Sequence, residues 1–275
     1  MSTVARSAVT VVNAMATGKG AAISINLRVV AHADIVDNGI HADIRVRGRE
    51  YRDTRLIEEI VKLMRMRTGQ NFGVKLWIEC DIPPAKGLKS SSAVANAIIF
   101  ELANKLELQI SEEELVKLGV EAAKRAGVTL TGAYDDACAS HFGGLVFTDN
   151  RKMKILKREA IENMPVVLLI PEREVFTSSL IGKDFTALST TVERIFHLAI
   201  NGKWEEAAFL NGIIYSDFFG YDLKLLLELR VFGITVGLCG KGPALFAITE
   251  DRELVRDIWR GKGEIIETEV FSGDY

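Results

Sequence analysis

The sequence predicts an α+β protein in two parts. Three observations lead there. Short Val/Ile/Ala-rich runs and stretches with apolar residues at helical spacing are intermixed in both halves of the 275 residues. A polar, basic stretch, Asp149 to Arg158, divides the chain near its middle. The length suits one large or two modest domains, with 48% hydrophobic and 26% charged residues, the ordinary globular mixture.

Taken in order, Ala8 to Val12, Ala21 to Val30 and His41 to Val46 read as strands separated by Gly-containing breaks. Leu56, Ile57, Ile60, Val61 and Met64 recur at helical spacing, and Thr68-Gly69 ends that helix. Val74 to Cys80 alternates apolar and polar residues, as a half-buried strand does. Asp81 to Lys89 is a loop by its Pro and Gly content. Ser90 to Leu106 is a helix apolar on most sides, hence buried. Ser111 with Glu114 forms a capping box opening a helix to Arg125, which Gly127 stops. A loop, Val128 to Asp136, precedes a small-residue run and a short strand, Gly144 to Thr148. Beyond the divide come a strand (Val166 to Ile170), helices near 189–201, 204–217 and 222–232, and strands Ile234 to Cys239 and Ala244 to Thr249. A helix (Arg252 to Arg260) and a last strand (Glu264 to Val270) complete a small βα sandwich.

Composition excludes several classes. Acids outnumber bases 37 to 34, for a net charge of −3, which disfavours nucleic acid as a partner. Cys80, Cys138 and Cys239 form neither a zinc spacing nor a disulfide framework, and no secretory leader is evident, so a cytoplasmic protein with reduced thiols is expected. The apolar stretches are too short to span a bilayer. Lysine follows Gly18, Gly182, Gly202, Gly240 and Gly261, but Ser or Thr follows none of these pairs, so there is no Walker A loop. The dinucleotide fingerprint, HExxH and GxSxG are also missing. The four histidines are scattered and suggest no metal cluster.

Three segments carry chemistry. In the first, Pro83-Pro84-Ala85-Lys86-Gly87-Leu88-Lys89-Ser90-Ser91-Ser92-Ala93, a Gly-containing loop feeds an apolar helix. Free N–H groups, the helix dipole, three hydroxyls and two lysines there suit a phosphate; a plain Ser cap needs only one hydroxyl, and both readings stand on local physics. In the second, Thr129 to Ala137, Asp135 and Asp136 lie among small apolar residues, where a carboxylate pair is costly unless a cation neutralises it. An exposed turn is the plainer alternative. The third, Gly237 to Ala244, reads by itself as a hairpin turn.

In this order the segments resemble those of the GHMP kinases. Ile82 to Ala93 is similar to their Pro-x-x-x-Gly-Leu-Gly-Ser-Ser-Ala-Ala phosphate loop, Gly132-Ala133-Tyr134-Asp135 to the loop of the catalytic Asp, and Gly240 to Ala244 to the C-terminal glycine motif. Asn13 to Ala22 resembles the first, substrate-side motif. Within that superfamily Thr-Gly-Ala-Tyr-Asp-Asp-Ala together with Gly-Leu-Lys-Ser-Ser-Ser-Ala resembles the archaeal-type shikimate kinases. Lys89 stands where the phosphate loop usually has its second glycine, and Pro243-Ala244 where many relatives keep glycines.

The resemblance implies a domain like domain 2 of ribosomal protein S5 over 1–152 and a ferredoxin-like domain over 153–275, with the site between them. It implies ATP and Mg²⁺ as cofactors and phosphorylation of the 3-hydroxyl of shikimate, in a chain whose oligomeric state is open. Pro84, Ala85, Lys86, Gly87, Leu88, Lys89, Ser90, Ser91, Ser92 and Ala93 would bind ATP. Ser90, Ser91 and Glu121 would hold the metal. Asp135 would take the hydroxyl proton, with Asp136 as rival, and Lys19 or Lys86 would stabilise the transferring phosphoryl group. Asn13, Thr17, Thr131, Gly132, Asp136, Gly240 and Gly242 would line the acceptor site. Arg6 or Arg173 would suit a carboxylate and Thr177 a hydroxyl. The alternatives are a homoserine, pantoate or mevalonate-type acceptor, or a non-catalytic sensor of ATP and a metabolite.

Overall fold

The computed structural model describes residues 2–129, 132–173 and 182–273. The first sheet is built around β2 (Lys19–Val36), an 18-residue strand. β1 (Thr3–Val12) runs antiparallel along one edge of it. Its other edge is shared by β6 (Leu145–Asp149), facing residues 19–23, and β5 (Gly73–Cys80), facing residues 29–36. β3 (Ile40–Val46) pairs parallel with β5, the short β4 (Arg49–Glu50) pairs with β3, and β7 (Lys154–Glu159) pairs with β6. The second sheet has four antiparallel strands in the order β11 (Glu264–Glu269), β8 (Pro165–Ile170), β10 (Leu245–Ile248), β9 (Thr235–Leu238). The sheets are stitched by Val270 and Phe271: the Phe271 amide donates to the Ser24 carbonyl at 3.0 Å, and the Gly144 amide to the Phe271 carbonyl at 2.8 Å.

Helices cover the first sheet according to their apolar faces. α1 (Arg55–Thr68) buries Leu56, Ile57, Ile60, Val61 and Met64 and stops at Gly69, whose φ of 67° closes it in the left-handed region. α2 (Ser90–Lys105) lies between β1, β2 and α3 (Glu112–Arg125), which is why its sequence is apolar nearly all round. α2 carries one buried acid, Glu101, 1% exposed. Its carboxylate accepts from the Ala33 amide at 3.1 Å and the Thr3 hydroxyl at 2.9 Å, so it serves the β2 backbone at the level where β1 begins. α5 (Ser189–Ile200) and α6 (Trp204–Phe219) pack against β1, α6 also against β9 of the second sheet. α7 (Lys224–Arg230) and α8 (Arg252–Trp259) complete the second half, where the Trp259 indole donates to the Leu225 carbonyl at 3.1 Å.

The α+β class holds, and two segments differ from expectation. The polar divide, 149–158, runs into β7, an edge strand of the first sheet whose residues are all exposed or half-buried, so its charges keep contact with water; the change of sheet falls between Glu159 and Pro165. The expected loop through Asp136 ends earlier, because α4 (Tyr134–Phe142) starts at Tyr134 and places both aspartates in its first turn. Its residues are small and were too few to show a helical period.

Half of the capping box forms: the Ser111 hydroxyl accepts from the Glu114 amide at 3.3 Å, and the Glu114 carboxylate accepts from that hydroxyl, at 3.3 Å, rather than from the Ser111 backbone. Ser111→Ala is expected to cost about 1 kcal/mol in a denaturant titration.

Candidate functional site

The phosphate-loop segment is a turn of alternating handedness. Ala85, Gly87 and Lys89 take φ of 56°, 85° and 60°. Gly87 has no alternative, since a Cβ there would lie 2.0 Å from the Cys239 carbonyl oxygen. The turn is braced by the Ser7 hydroxyl, which donates to the Leu88 carbonyl at 2.7 Å. Lys89 is the N-cap of α2 and its side chain makes no capping bond, so Ser90, Ser91 and Ser92 occupy the first turn, at the positive end of the helix. The plain Ser cap is therefore not what these hydroxyls form.

Lys86 is only 9% exposed, and its ammonium is saturated by the carbonyls of Pro171, Glu172 and Arg173 at 2.9, 2.8 and 3.0 Å. With all three donors used, it braces the turn against the end of β8 and does not face the cleft; its expected part in stabilising a phosphoryl group is withdrawn.

Asp135 and Asp136 are 3% and 4% exposed. Ala133, in the left-handed region, caps α4 and turns both side chains inward. Asn150 holds Asp135 twice: its amide group donates to Oδ1 at 2.7 Å, and its own Oδ1 accepts from the Asp135 backbone at 3.2 Å. Thr148 fixes Asn150 in turn, at 2.6 Å. The first motif makes the room, because a Cβ on Gly20 would lie 2.3 Å from Asp135 Oδ2. Asp136 accepts from the Lys89 ammonium at 2.7 Å. Burial and the neighbouring Asp135 charge push the Asp136 carboxyl up to about 7, against the pull of Lys89.

The third loop closes the site from the second sheet. The Gly240 amide donates to the Thr10 hydroxyl, and the Asn13 side chain donates to the Gly240 carbonyl, both at 2.9 Å. Lys241 is lowered to about 8 by burial and by the charge of Lys89.

These elements line one cleft of ≈ 430 Å³, into which Asn13, Pro84, Ala85, Gly87 to Ser92, Asp135, Asp136 and Gly240 all open. Seven expected residues do not line it. Lys19 pairs with Glu193 on α5, on the opposite side of β2 from Gly20. Thr17 bonds the Lys19 backbone in a local turn. Glu121 is on the exposed face of α3, paired with Arg125 four residues on. Gly132 packs against Lys124, Gly242 against Tyr221, and Ala93 is wholly buried. Lys86 is the seventh. Arg6 stacks on Phe271 and Arg173 on Tyr221, also away from the lining. Thr131 and Thr177 lie outside the described residues. The rim adds residues that sequence reasoning missed: Tyr51 and Asp53 ahead of α1, Arg55 at its start, Thr129, and Lys241. Asn150, behind Asp135, was missed because it falls in the stretch read as a divide.

Two outcomes are expected. Gly20→Ala pushes Asp135 from its place, so turnover should fall at least ~100-fold while the thermal midpoint changes little. The folded chain holds the Asp136 proton more tightly than the unfolded chain, whose Asp titrates near about 4. That contribution favours folding below about pH 4 and is lost as the pH rises to about 7. Relative to Asp136→Asn, the unchanged protein should lose stability over this interval, by at most ~1.4 kcal/mol per pH unit, in denaturant titrations at a series of pH values.

Comparison with known proteins gives three findings. Residues 55–144 match the family described as GHMP kinases N terminal domain. The shikimate kinase of Pyrococcus abyssi is 49% identical over 267 residues, 97% of each chain; that of Methanosarcina acetivorans is 37% identical over 96% of this chain and 92% of its own. Among solved structures, the Methanococcus jannaschii mevalonate kinase superposes with a TM-score of 0.79 at 14% identity, covering 100% of this chain and 98% of its own. The Lactococcus lactis galactokinase complexed with galactose does so at 0.73 and 14%, covering 99% and 93%.

Proposed function

The chain belongs to the GHMP kinase family, and from that premise we propose that it transfers the γ-phosphoryl group of ATP to the 3-hydroxyl of shikimate, giving shikimate 3-phosphate and ADP. The observation that carries the reading is the single cleft in which the first turn of α2 faces Asp135. Near-identity of length with shikimate kinases at 49% identity supports the choice of acceptor.

Phosphoryl transfer needs positioning and charge compensation more than covalent chemistry. The turn from Gly87 to Ser92 offers the nucleotide's phosphates backbone amides and hydroxyls at a helix N-terminus. Asp135, fixed by Asn150, receives the proton as the acceptor oxygen bonds to phosphorus and the bond to the bridging oxygen breaks. Gly240 and Asn13, joined by a hydrogen bond, shape the wall opposite.

Among the described residues no three acidic, His or Cys side chains converge as a metal-binding set. Glu121 faces solvent. The Ser90 or Ser91 hydroxyl, both lining the cleft, would hold a magnesium ion that arrives with the nucleotide. Such an ion neutralises charge on the phosphates. No described helix is long and apolar enough to cross a membrane. The three cysteines are free and buried, which supports work in the cytoplasm.

The experiment is coupled ADP release with shikimate, homoserine, pantoate and mevalonate. Turnover is expected with shikimate; silence with shikimate alone rejects the acceptor, and ATP binding without turnover on any of them favours a sensor. Asp135→Asn should lower kcat ~10²–10⁴-fold with the KM for ATP little changed. A folded Asp135→Asn protein with near-normal turnover rejects the base.

A further inference from the structure

The cleft contains a charge pair for which the mechanism above has no task. Lys89 and Asp136 meet at 2.7 Å, with 12% and 6% of their side chains exposed. Lys89 holds this place from a left-handed backbone, at φ 60°, a conformation disfavoured for any residue with a Cβ. Such strain persists only where the surroundings impose it, and it gathers at working sites. The third loop is shaped to the same group: a Cβ on Gly240 would lie 3.0 Å from the Lys89 nitrogen.

Of the other motif lysines, Lys19 is engaged by Glu193 and Lys86 by three carbonyls, while Lys241 lies on the third loop at the cleft rim. The Lys89 ammonium reaches the first turn of α4. It donates to the Asp136 carboxylate at 2.7 Å in surroundings that leave little of either side chain to water, so the two groups are matched as cation and anion. The groups around Asp136 are Asp135 beside it, Lys89 ahead of α2, Cys239 from the third loop and, through Lys89, Lys241. Among the described residues β1, β2, α3 and β6, which also pack against α4, contribute no charge to it.

Two carboxylates side by side in so closed a place repel each other, and without a cation they share a proton. A proton resting on Asp135 blocks it as an acceptor. Resting on the kinase reading above, we propose that Lys89 is the positioning residue of the transfer site: its ammonium anchors and compensates Asp136, leaving Asp135 as the single group that receives the acceptor's proton. Lys89 itself neither gains nor loses a proton. The hydroxyl oxygen bonds to phosphorus, the hydroxyl proton passes to Asp135, and ADP leaves with the electron pair of the broken bond.

Steady-state kinetics with ATP and shikimate on the unchanged enzyme, Lys89→Met, Lys89→Arg, Asp136→Asn and the Lys89→Met/Asp136→Asn double variant form the test. Lys89→Met should lower kcat about 10–100-fold with the KM for ATP within about 3-fold. Lys89→Arg, which keeps the charge, should stay within about 5-fold of the unchanged enzyme. The double variant should recover about 10-fold over Lys89→Met, because no second carboxylate is left uncompensated. A loss confined to the KM for ATP, an additive double variant, or an unaltered kcat in Lys89→Met overturns the assignment. If Lys89→Met does not fold, Lys89→Arg and the double variant decide: a Lys89→Arg kcat reduced more than about 10-fold, or a double variant reduced about 100-fold below the unchanged enzyme, overturns it. Turnover of shikimate by the unchanged enzyme tests the kinase reading separately, and if another acceptor is the one used, the same ratios are taken with that acceptor. Carbon-13 NMR of the Asp carboxyl groups needs no turnover: the Asp136 midpoint should rise by roughly one pH unit or more in Lys89→Met or Lys89→Gln, and an unmoved midpoint overturns the assignment.

Discussion

Two approaches of backbone to polar atoms, each too close for a methyl group, hold the site together. The α-carbon of Gly87 presses on the Cys239 carbonyl, joining the turn ahead of α2 to the loop between β9 and β10. The α-carbon of Gly20 presses on the Asp135 carboxylate, joining the longest strand to α4. Each contact crosses between elements far apart in sequence, and each fixes where a functional group can be. With both in place, a helix N-terminus and a buried acid face one volume; a side chain at either glycine would drive them apart.

The electrostatics follow from that closeness. A cleft walled by two loops and two helix starts excludes much of the water that would screen charge, so every charged group in it needs a partner. Asp135 finds Asn150 and Asp136 finds Lys89, while Lys86, buried behind the turn, finds carbonyls. Surface pairs such as Glu121 with Arg125 are solvated on a helix face and contribute little. Burial, rather than residue type, separates the ionisable groups that matter from those that do not.

Much of this was legible in the residues, and the reasons differ by element. α1 and β5 show clean periods because one face of each meets the core and the other meets water. The α2 segment was readable as buried for the opposite reason, the absence of a polar face. β7 was unreadable because an edge strand can carry Lys and Glu along its length, and α4 because nine residues, buried on all sides, display no amphipathic pattern. At the site, motif spacing pointed to Asp135 and the Gly87–Ser92 turn, which line one cleft. It misplaced Lys19, Lys86 and Glu121, since spacing along a chain does not say to which side of a strand or helix a side chain points. It had no signal for Asn150, whose partner is 15 residues away and is met only because α4 and the end of β6 fold together.

The lysines of the phosphate turn illustrate a wider point about such sites. A seat built from amides and hydroxyls at a helix N-terminus already supplies donors and a favourable field for an anion. It has no strict need of a side-chain cation, and lysines in the same turn are then free to take structural and electrostatic duties. Lys86 joins the turn to the second sheet, and Lys89 joins it to α4. A phosphate bound in that turn would therefore press on the second sheet through Lys86 and on the carboxylates through Lys89, because the backbone that would hold the anion also carries both ammonium groups. On the proposed reading, nucleotide binding and the placement of Asp135 would in this way be parts of one mechanical unit.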